Sequence, residues 1–198
     1  MSIYKLKSQF QNLLRPITRG LARIGVTANQ VTVLAMLLSC AVGFVMYMRP
    51  SLGLMILPIF LFVRMALNAI DGMLAREHNM QSKLGAILNE MGDVVSDTAL
   101  YLPFIWVSGF SSFTIITIVI LAVMSEMMGV VAVQIGASRR YDGPMGKSDR
   151  AFVFGLLAIL VFFELLPQNW IFGILIVIVL LLVWTIFNRA YYALKECK

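Results

Sequence analysis

The chain of 198 residues is poor in charged side chains, in histidine and in cysteine. Charged residues make up 13% of it, about half of the roughly 25% typical of soluble proteins. One histidine and two distant cysteines, Cys40 and Cys197, provide neither a disulfide framework nor the ligand spacing of a zinc site. The composition therefore argues against a soluble globular protein, a disulfide-stabilised domain and a zinc protein.

Apolar side chains are abundant instead, at 60% of the chain with a mean hydropathy of +0.88. A helix needs about 20 mostly apolar residues to span the hydrocarbon of a bilayer. The sequence therefore predicts an all-α integral membrane fold with six spans, at residues 29–48, 51–70, 84–107, 112–135, 150–167 and 169–189.

Basic residues predict the orientation of these spans. Of the 16 Lys and Arg residues, 14 fall on the side that holds both termini. Because Lys and Arg accumulate on the cytoplasmic side of a membrane, we expect both termini to be cytoplasmic and the protein to lie in the cell (inner) membrane. The net charge of +6 is then an orientation signal, and it requires no nucleic-acid partner.

Residues 1–25 form a separate N-terminal segment ahead of a transmembrane domain at 26–198. Apolar and basic side chains alternate in it at helical spacing, which predicts an amphipathic helix at the membrane interface: Ile3, Lys5, Leu6, Lys7, Phe10, Leu13, Leu14 and Arg15. Pro16 is expected to kink or interrupt this helix. The alternative is a basic leader that only sets the topology.

Ionisable residues are costly inside a membrane and by default mark a functional site. The second predicted span ends with Asn68 and Asp71, three residues apart, while Asn89, Asp93 and Asp97 are each four apart on one face of the third. The hairpin between these helices is short, so the two polar faces can meet at the cytoplasmic side. Converging carboxylate and amide oxygens predict a site for Mg²⁺ or Mn²⁺.

Small residues and one arginine accompany these oxygens. Gly72, Ala75 and Gly85 would let a ligand approach the backbone closely, and Arg76 supplies a planar fork for a phosphate oxygen. Together they favour a metal–diphosphate site. The alternative is a polar seam, because small and amide residues also hold membrane helices together.

The same residues resemble the signature of the CDP-alcohol phosphotransferase (phosphatidyltransferase) family, D-x2-D-G-x2-A-R-x8-G-x3-D-x3-D. The spacing matches throughout, and six of eight positions are identical: Asn68-x2-Asp71-Gly72-x2-Ala75-Arg76-x8-Gly85-x3-Asn89-x3-Asp93. The entry to the first span, Thr27-Ala28-Asn29-Gln30-Val31-Thr32, is similar to the family's T-P-N-x-x-T.

The resemblance implies a membrane enzyme that moves a phosphatidyl group from CDP-diacylglycerol to an alcohol acceptor and releases CMP. It implies a homodimer, divalent metals at the signature positions and Asp93 as both metal ligand and general base. The remaining metal ligands would be Asn68, Asp71 and Asn89. The residues that would bind the CDP group are Thr27, Asn29, Thr32, Gly72, Ala75, Arg76 and Gly85.

The chain departs from the family at the first and third signature positions, where Asn68 and Asn89 replace aspartates. An amide oxygen still ligates a hard cation, but two negative charges are lost. We predict that Asp97, on the same face as Asp93, supplements the metal ligands. Glu90 is a weaker substitute, because it points about 100° away from Asn89 on an ideal helix.

Further charged residues fall in and between the later spans. Arg64 and Glu126 each lie in an apolar run, and buried charges generally pair, so we expect an Arg64–Glu126 ion pair beside the site. Four basic residues are expected to bind a phosphate on the acceptor, or else to act only as cytoplasmic anchors, which leaves an uncharged alcohol open: Arg139, Arg140, Lys147 and Arg150.

Two other functions remain compatible with the sequence. One is a non-catalytic relic of the family that acts as a membrane partner protein, because two signature charges are lost. The other is a transporter, because intramembrane acids also mark ion pathways.

Overall fold

The computed structural model describes residues 3–197, with side chains from residue 9 onward. All its regular elements are helical, as predicted, and a 3₁₀ segment, Leu102–Trp106, follows α4. The seven α-helices are α1 (Ile3–Arg23), α2 (Ala28–Met48), α3 (Pro50–Glu77), α4 (Lys83–Tyr101), α5 (Ser112–Gln134), α6 (Lys147–Phe162) and α7 (Gln168–Glu196).

Local sequence signals explain where several helices begin. Thr27 and Gln30 form a reciprocal cap at α2, in which the Thr27 hydroxyl accepts from the Gln30 amide at 3.3 Å and the Gln30 side chain accepts from the Thr27 amide at 2.9 Å. Ser82 and Ser111 cap α4 and α5 through single hydrogen bonds. Pro50 occupies the first turn of α3, where its missing N–H costs nothing.

Six helices occupy the six predicted segments, but the number of spans is not confirmed as six. Only α2, α3, α5 and α7 are long and apolar enough, among the described residues, to cross a membrane. Helix α6 has 16 residues, and α4 carries four charges within 19 residues. The polar groups that form the site therefore also weaken the hydropathy of the helix that bears them.

Pro16 was predicted to kink or interrupt α1, and of these two outcomes the interruption does not occur, because the helix runs without a break through this proline. Leu14 and Thr18 are buried against the bundle, and these contacts hold the helix together around the missing hydrogen bond. Leu13 and Ile17 on the opposite face are exposed. The side chains of Ile3, Lys5, Leu6 and Lys7 lie outside the described residues, and the position of α1 at a membrane interface stays a prediction.

The largest apolar core lies where α3, α5, α6 and α7 meet the 3₁₀ segment. Tyr101 stacks on Phe154 with their ring centroids 4.3 Å apart, and Phe104 meets the same ring edge-on. Other large apolar side chains point outward, among them Ile59, Phe113 and Phe187. Such a surface suits contact with lipid rather than water.

Contacts between the connections bring the polar and basic segments to one end of the bundle. Arg15 on α1 pairs with Glu77 at the end of α3 at 3.0 Å. Ser138, after α5, donates to Glu196 near the end of α7 at 2.9 Å. Asn29 at the beginning of α2 donates to Ser82 in the α3–α4 connection, and Arg139 in the α5–α6 connection pairs with Glu90 on α4. These segments and the end of α7 therefore lie together, as the charge distribution predicts.

Gly43 marks the closest packing between α2 and α4. A Cβ atom placed there would lie 2.0 Å from the backbone oxygen of Ala99, so Gly43→Ala must push the two helices apart. We expect this variant to melt several degrees below the parent protein in detergent. Gly173→Ala on α7, where a Cβ meets nothing within 4 Å, is the matched control. Equal melting temperatures for the two variants would contradict the packing described here.

Candidate functional site

A cavity of about 1070 Å³ opens at the polar end of the bundle. The sequence-predicted oxygen ligands Asn68, Asp71, Asn89 and Asp93 all line it. They come from the last turns of α3 and the first three turns of α4. The structure thus brings together two carboxylates and two amides that the sequence places on separate helices.

Asp71 is held from the neighbouring helix α2. The hydroxyl of Thr32 donates to Oδ2 of Asp71 at 2.8 Å, and both residues are buried. The backbone oxygen of Ala28, one turn earlier, lies 3.1 Å from the same hydroxyl, whose single hydrogen has the nearer acceptor in Asp71. One carboxylate oxygen is therefore fixed by α2.

Asp93 is contacted by two basic side chains. Lys147, in the first turn of α6, forms an ion pair with its Oδ1. Arg64 on α3 lies 3.8 Å from the same oxygen, and it also donates to the backbone oxygen of Asp93 at 3.4 Å. The carboxylate is partly exposed to the cavity, so it lies where an incoming ligand can reach it.

The residues expected to bind a CDP group largely share this cavity. Its wall includes the following six of the seven: Asn29, Thr32, Gly72, Ala75, Arg76 and Gly85. Thr27 does not belong to the wall, because its side chain caps α2. The side-chain amide of Asn29, on α2, donates to the hydroxyl of Ser82, the residue that caps α4, at 3.4 Å.

Asp97 was predicted to supplement the metal ligands, but the structure places it away from them. It is buried below the cavity, and both its oxygens are taken by guanidinium groups. Oδ1 accepts from Arg64 at 2.6 Å, and Oδ2 accepts two hydrogen bonds from Arg150 at 2.7 and 3.0 Å. Sharing a helix face with Asp93 places Asp97 one turn deeper, where arginines rather than ligand surround it.

The predicted direct pair between Arg64 and Glu126 does not form. Arg64 pairs with Asp97, whereas Glu126 pairs with Arg150 at 2.9 Å. Arg150 contacts both carboxylates, so the two predicted partners are joined through Asp97 and Arg150. Each of these buried charges has a partner, as expected, but Arg150 on α6 links the two groups.

The four basic residues of the α5–α6 region do not act as a group. Arg139 and Lys147 line the cavity, while Arg150 is buried beneath it. Arg140 faces away and pairs with Asp142 and Glu196. The prediction that all four surround an acceptor phosphate is therefore not supported for Arg140 and Arg150.

Arg139 is seated on Gly129, where a Cβ atom would lie 1.8 Å from Nη1 of the arginine. It makes two parallel hydrogen bonds to Glu90, each of 2.8 Å, and one to Glu126 of 2.9 Å. Burial lowers the pKa of Arg139, but these hydrogen bonds outweigh it and raise that pKa above its ordinary value. The guanidinium is permanently charged and already occupied by carboxylates.

One further cavity residue, Arg189, was not predicted as part of the site, and Glu90 was predicted only as a weaker substitute for the lost metal ligands. Arg189 on α7 lies 3.4 Å from Glu126 and lines the cavity, as does Glu90. For Arg189 the sequence carried a signal, since it is the one charged residue inside the predicted span 169–189. Glu90 was considered because it follows Asn89, but no local pattern indicated its pairing with Arg139, which is 49 residues away.

The donor set fits a hard divalent cation that a substrate helps to bind. Carboxylate and amide oxygens are its preferred ligands, and Mg²⁺ commonly takes one or two carboxylates plus substrate phosphates. No cluster of three or more His, Cys, Asp or Glu residues that could hold a metal occurs among the described residues. Asn68, Asp71, Asn89 and Asp93 would therefore hold the ion together with substrate oxygens.

Comparison with protein families gives a match over residues 25–190 to the model described as CDP-alcohol phosphatidyltransferase. The chain is 46% identical over 193 residues to the inner membrane protein YnbA of Escherichia coli strain K12, covering 96% of this chain and 94% of that one. It is 30% identical over 100 residues to the phosphatidylinositol phosphate synthase of Mycobacterium tuberculosis strain H37Rv, covering 50% of this chain and 45% of that one.

Solved structures of the Mycobacterium tuberculosis phosphatidylinositol phosphate synthase share the fold. The structure with CDP-DAG bound superposes with a TM-score of 0.75 at 22% identity, covering 90% of this chain and 92% of that one. The complex with manganese and citrate gives 0.76 at 21% identity, covering 91% and 88%.

Substitutions of Arg64 and Asp97 are expected to have strongly coupled effects on stability. Removing one member of a buried pair leaves the other charge unpaired, at a cost of about 3–5 kcal/mol. We expect Arg64→Leu and Asp97→Leu each to lower the melting temperature markedly, and the double variant to lose much less than the sum of the two. Arg15→Leu, which breaks the exposed pair with Glu77, is the control and should change little. Additive losses in the double variant would contradict direct pairing.

Proposed function

The chain belongs to the CDP-alcohol phosphatidyltransferase family, and from that premise we propose that it transfers a phosphatidyl group from CDP-diacylglycerol to an alcohol, in phospholipid biosynthesis. One observation carries the proposal. Asp71 and Asp93, from two different helices, face one cavity whose wall also holds Gly72, Ala75 and Arg76. This is the arrangement that binding and cleaving a diphosphate require.

In the proposed reaction, the acceptor hydroxyl attacks the phosphorus distal to cytidine. A bond forms between the acceptor oxygen and that phosphorus, the bond to the bridging oxygen breaks, and the electron pair leaves with CMP. Asp93 accepts the hydroxyl proton. A general base must lie within hydrogen-bond reach of the proton that it takes. Its partial exposure to the cavity makes it available for this role.

The other cavity residues bind and orient the donor. Arg76 supplies a fork for the diphosphate oxygens, and Gly72 and Ala75 leave room for the CDP group beside α3. A divalent cation held by Asn68, Asp71, Asn89 and Asp93 would stabilise the negative charge at phosphorus and on the leaving CMP. Thr32 positions Asp71 for that contact by fixing its Oδ2.

The same proposal covers location and assembly. The apolar helices, together with the inner membrane relative, support a multi-pass protein of the inner membrane. We propose that both termini and the cavity lie on the cytoplasmic side, because the basic residues are concentrated there. In that setting CDP-diacylglycerol would enter from the bilayer between helices. A homodimer is part of the proposal by family membership.

Two other functions predict different results. A non-catalytic partner protein would release no CMP and would bind no CDP-lipid in a metal-dependent way. A transporter would move solute without needing a cytidine nucleotide. Two carboxylates facing a wide cavity at one end of the bundle favour the enzyme, since an ion path would have to cross the buried charges below it.

Release of CMP is the direct test. Purified protein with CDP-diacylglycerol, Mn²⁺ or Mg²⁺ and a panel of alcohols is expected to release CMP, and Asp93→Asn to abolish release because the base is lost. Removal of divalent cations with EDTA should stop the reaction as well.

The matched control is Glu164→Gln, which neutralises an exposed carboxylate in the turn after α6 and should keep full activity. If no acceptor yields CMP and CDP-lipid does not bind in the presence of metal, the enzyme proposal fails.

The orientation is tested with Cys197, an exposed cysteine just beyond α7. In a Cys40→Ala background, a thiol reagent that cannot cross membranes should label Cys197 in inverted inner-membrane vesicles and leave it unlabelled in intact spheroplasts. The opposite labelling pattern would reverse the proposed topology.

A further inference from the structure

We infer that the outer face of helix α1 binds the headgroups of anionic phospholipids in the surrounding bilayer, and that this contact improves binding of CDP-diacylglycerol in the cavity. The second half of the inference rests on the proposed transferase function. Helix α1 lies outside the two signature helices, and the proposed reaction uses none of its side chains. Turnover would then depend on the lipid composition of the membrane.

The outer face of α1 carries a strip of basic side chains. Arg15, Arg19 and Arg23 are spaced four residues apart, so they lie within about 80° of one another on an ideal helix. Arg15 is engaged by Glu77 at 3.0 Å. Arg19 and Arg23 are exposed, and neither has a carboxylate within 4.0 Å among the described residues. Two cations of this strip are therefore available to an anion outside the chain.

An exposed apolar strip lies on the other side of the same helix. Leu13 and Ile17 are 72% and 52% exposed and lie about 40° apart on an ideal helix. The buried residues Leu14 and Thr18 separate this strip from the basic one on the side that faces the bundle. Exposed apolar and basic strips on one helix are typical of a helix that lies in the membrane interface. The partner that fits both strips is an anionic lipid surface rather than a soluble acidic protein.

The short turn after α1 keeps this helix at the membrane surface. Helix α2, the first candidate span, begins at Ala28, four residues after α1 ends at Arg23. Gly25 closes the turn at a φ of +82°, and its amide donates to the backbone oxygen of Ala22 at 3.2 Å, an arrangement that ends a helix sharply. So tight a connection leaves Arg19 and Arg23 in the headgroup region, where an anionic surface attracts basic side chains.

The inner edge of α1 forms part of the cavity wall. Phe10 and Gln11 line the cavity together with Ala75 and Arg76. Helix α1 packs chiefly against α3, the helix that carries these two residues expected to bind the CDP group. The ring of Phe10 meets that of Phe62 on α3 edge-on, with centroids 6.0 Å apart. The position of α1 therefore shapes the donor side of the cavity.

The polar attachment of α1 to the bundle is weak. The side chains of Arg15 and Glu77 are 35% and 36% exposed, and pairs this exposed contribute little to stability. Headgroups bound at Arg19 and Arg23 add a second attachment, and each basic residue near an anionic surface strengthens such binding about fivefold. Because the attached position completes the donor wall, anionic lipid is expected to lower the KM for CDP-diacylglycerol and to leave kcat unchanged.

Turnover in proteoliposomes of defined composition tests the effect on donor binding. The full-length protein is reconstituted in dioleoylphosphatidylcholine with increasing dioleoylphosphatidylserine, which has no free hydroxyl that could act as acceptor. CMP release is measured with Mn²⁺, the best acceptor of the alcohol panel and a series of CDP-diacylglycerol mole fractions. We expect the KM for the donor to fall about fivefold or more from neutral to strongly anionic vesicles.

The double variant Arg19→Gln/Arg23→Gln should lose this dependence on phosphatidylserine. Arg49→Gln/Lys195→Gln, which removes two exposed charges away from α1, is the matched control and should respond like the parent protein. A basic strip that bound only the donor lipid would be blocked by bulk phosphatidylserine. A donor KM that rises or stays constant with phosphatidylserine therefore overturns the effect on donor binding.

A label on α1 tests the lipid contact without turnover. Gly20 is exposed on the same side as the apolar strip, and a Cβ atom there meets nothing within 4 Å. Gly20→Cys, in a Cys40→Ala/Cys197→Ser background, is labelled with an environment-sensitive fluorophore. Added phosphatidylserine should shift its emission to the blue and increase quenching by lipids with spin-labelled acyl chains. Equal responses with and without Arg19→Gln/Arg23→Gln overturn the lipid contact.

The two measurements separate the possible failures. Absence of CMP with every acceptor contradicts the proposed function and its dependence on lipid, while the fluorescence still decides whether α1 binds anionic lipid. A fluorescence response without a change in donor KM contradicts the link between α1 and the donor side. Poly-glutamate that reproduces both effects in neutral vesicles, where phosphatidylserine has none, would overturn the choice of lipid as the partner.

Discussion

The contacts of Asp97 with Arg64 and Arg150 join the helices that carry the site. Arg64 belongs to α3, Asp97 to α4 and Arg150 to α6, and each is almost fully buried. Charges in such a place are tolerated only when they are paired, so the three helices are fixed relative to one another. The wall of the cavity depends on this arrangement, since α3 and α4 carry the signature oxygens and α6 carries Lys147.

Above this layer, each functional side chain is held by a different helix. Thr32 on α2 contacts Asp71, Arg64 and Lys147 contact Asp93, and Glu126 on α5 contacts Arg139, Arg150 and Arg189. The same charged residues thus stabilise the bundle and shape the cavity.

Much of the fold was predictable from the sequence. Apolar length gave the positions of six helices, because a helix in lipid needs a continuous apolar stretch, and the four-residue spacing placed Asn89 and Asp93 on one face. Among the described residues only α2, α3, α5 and α7 are long and apolar enough to cross a membrane, so spans at α4 and α6 stay a prediction. Pro16 was expected to kink or interrupt α1, but the helix is not interrupted, because burial of Leu14 and Thr18 against the bundle outweighs the local preference of proline.

The sequence by itself determined the signature oxygens, their spacing on two helices and the concentration of basic residues at one end, because all of these are short-range patterns. Only the tertiary structure decided which charges pair. Asp97 shares a face with Asp93, yet its depth gives it to two arginines, and Glu126 meets Arg139, Arg150 and Arg189 rather than Arg64. Pairing of buried charges depends on distances between helices that lie far apart in the chain, and no local spacing records those distances.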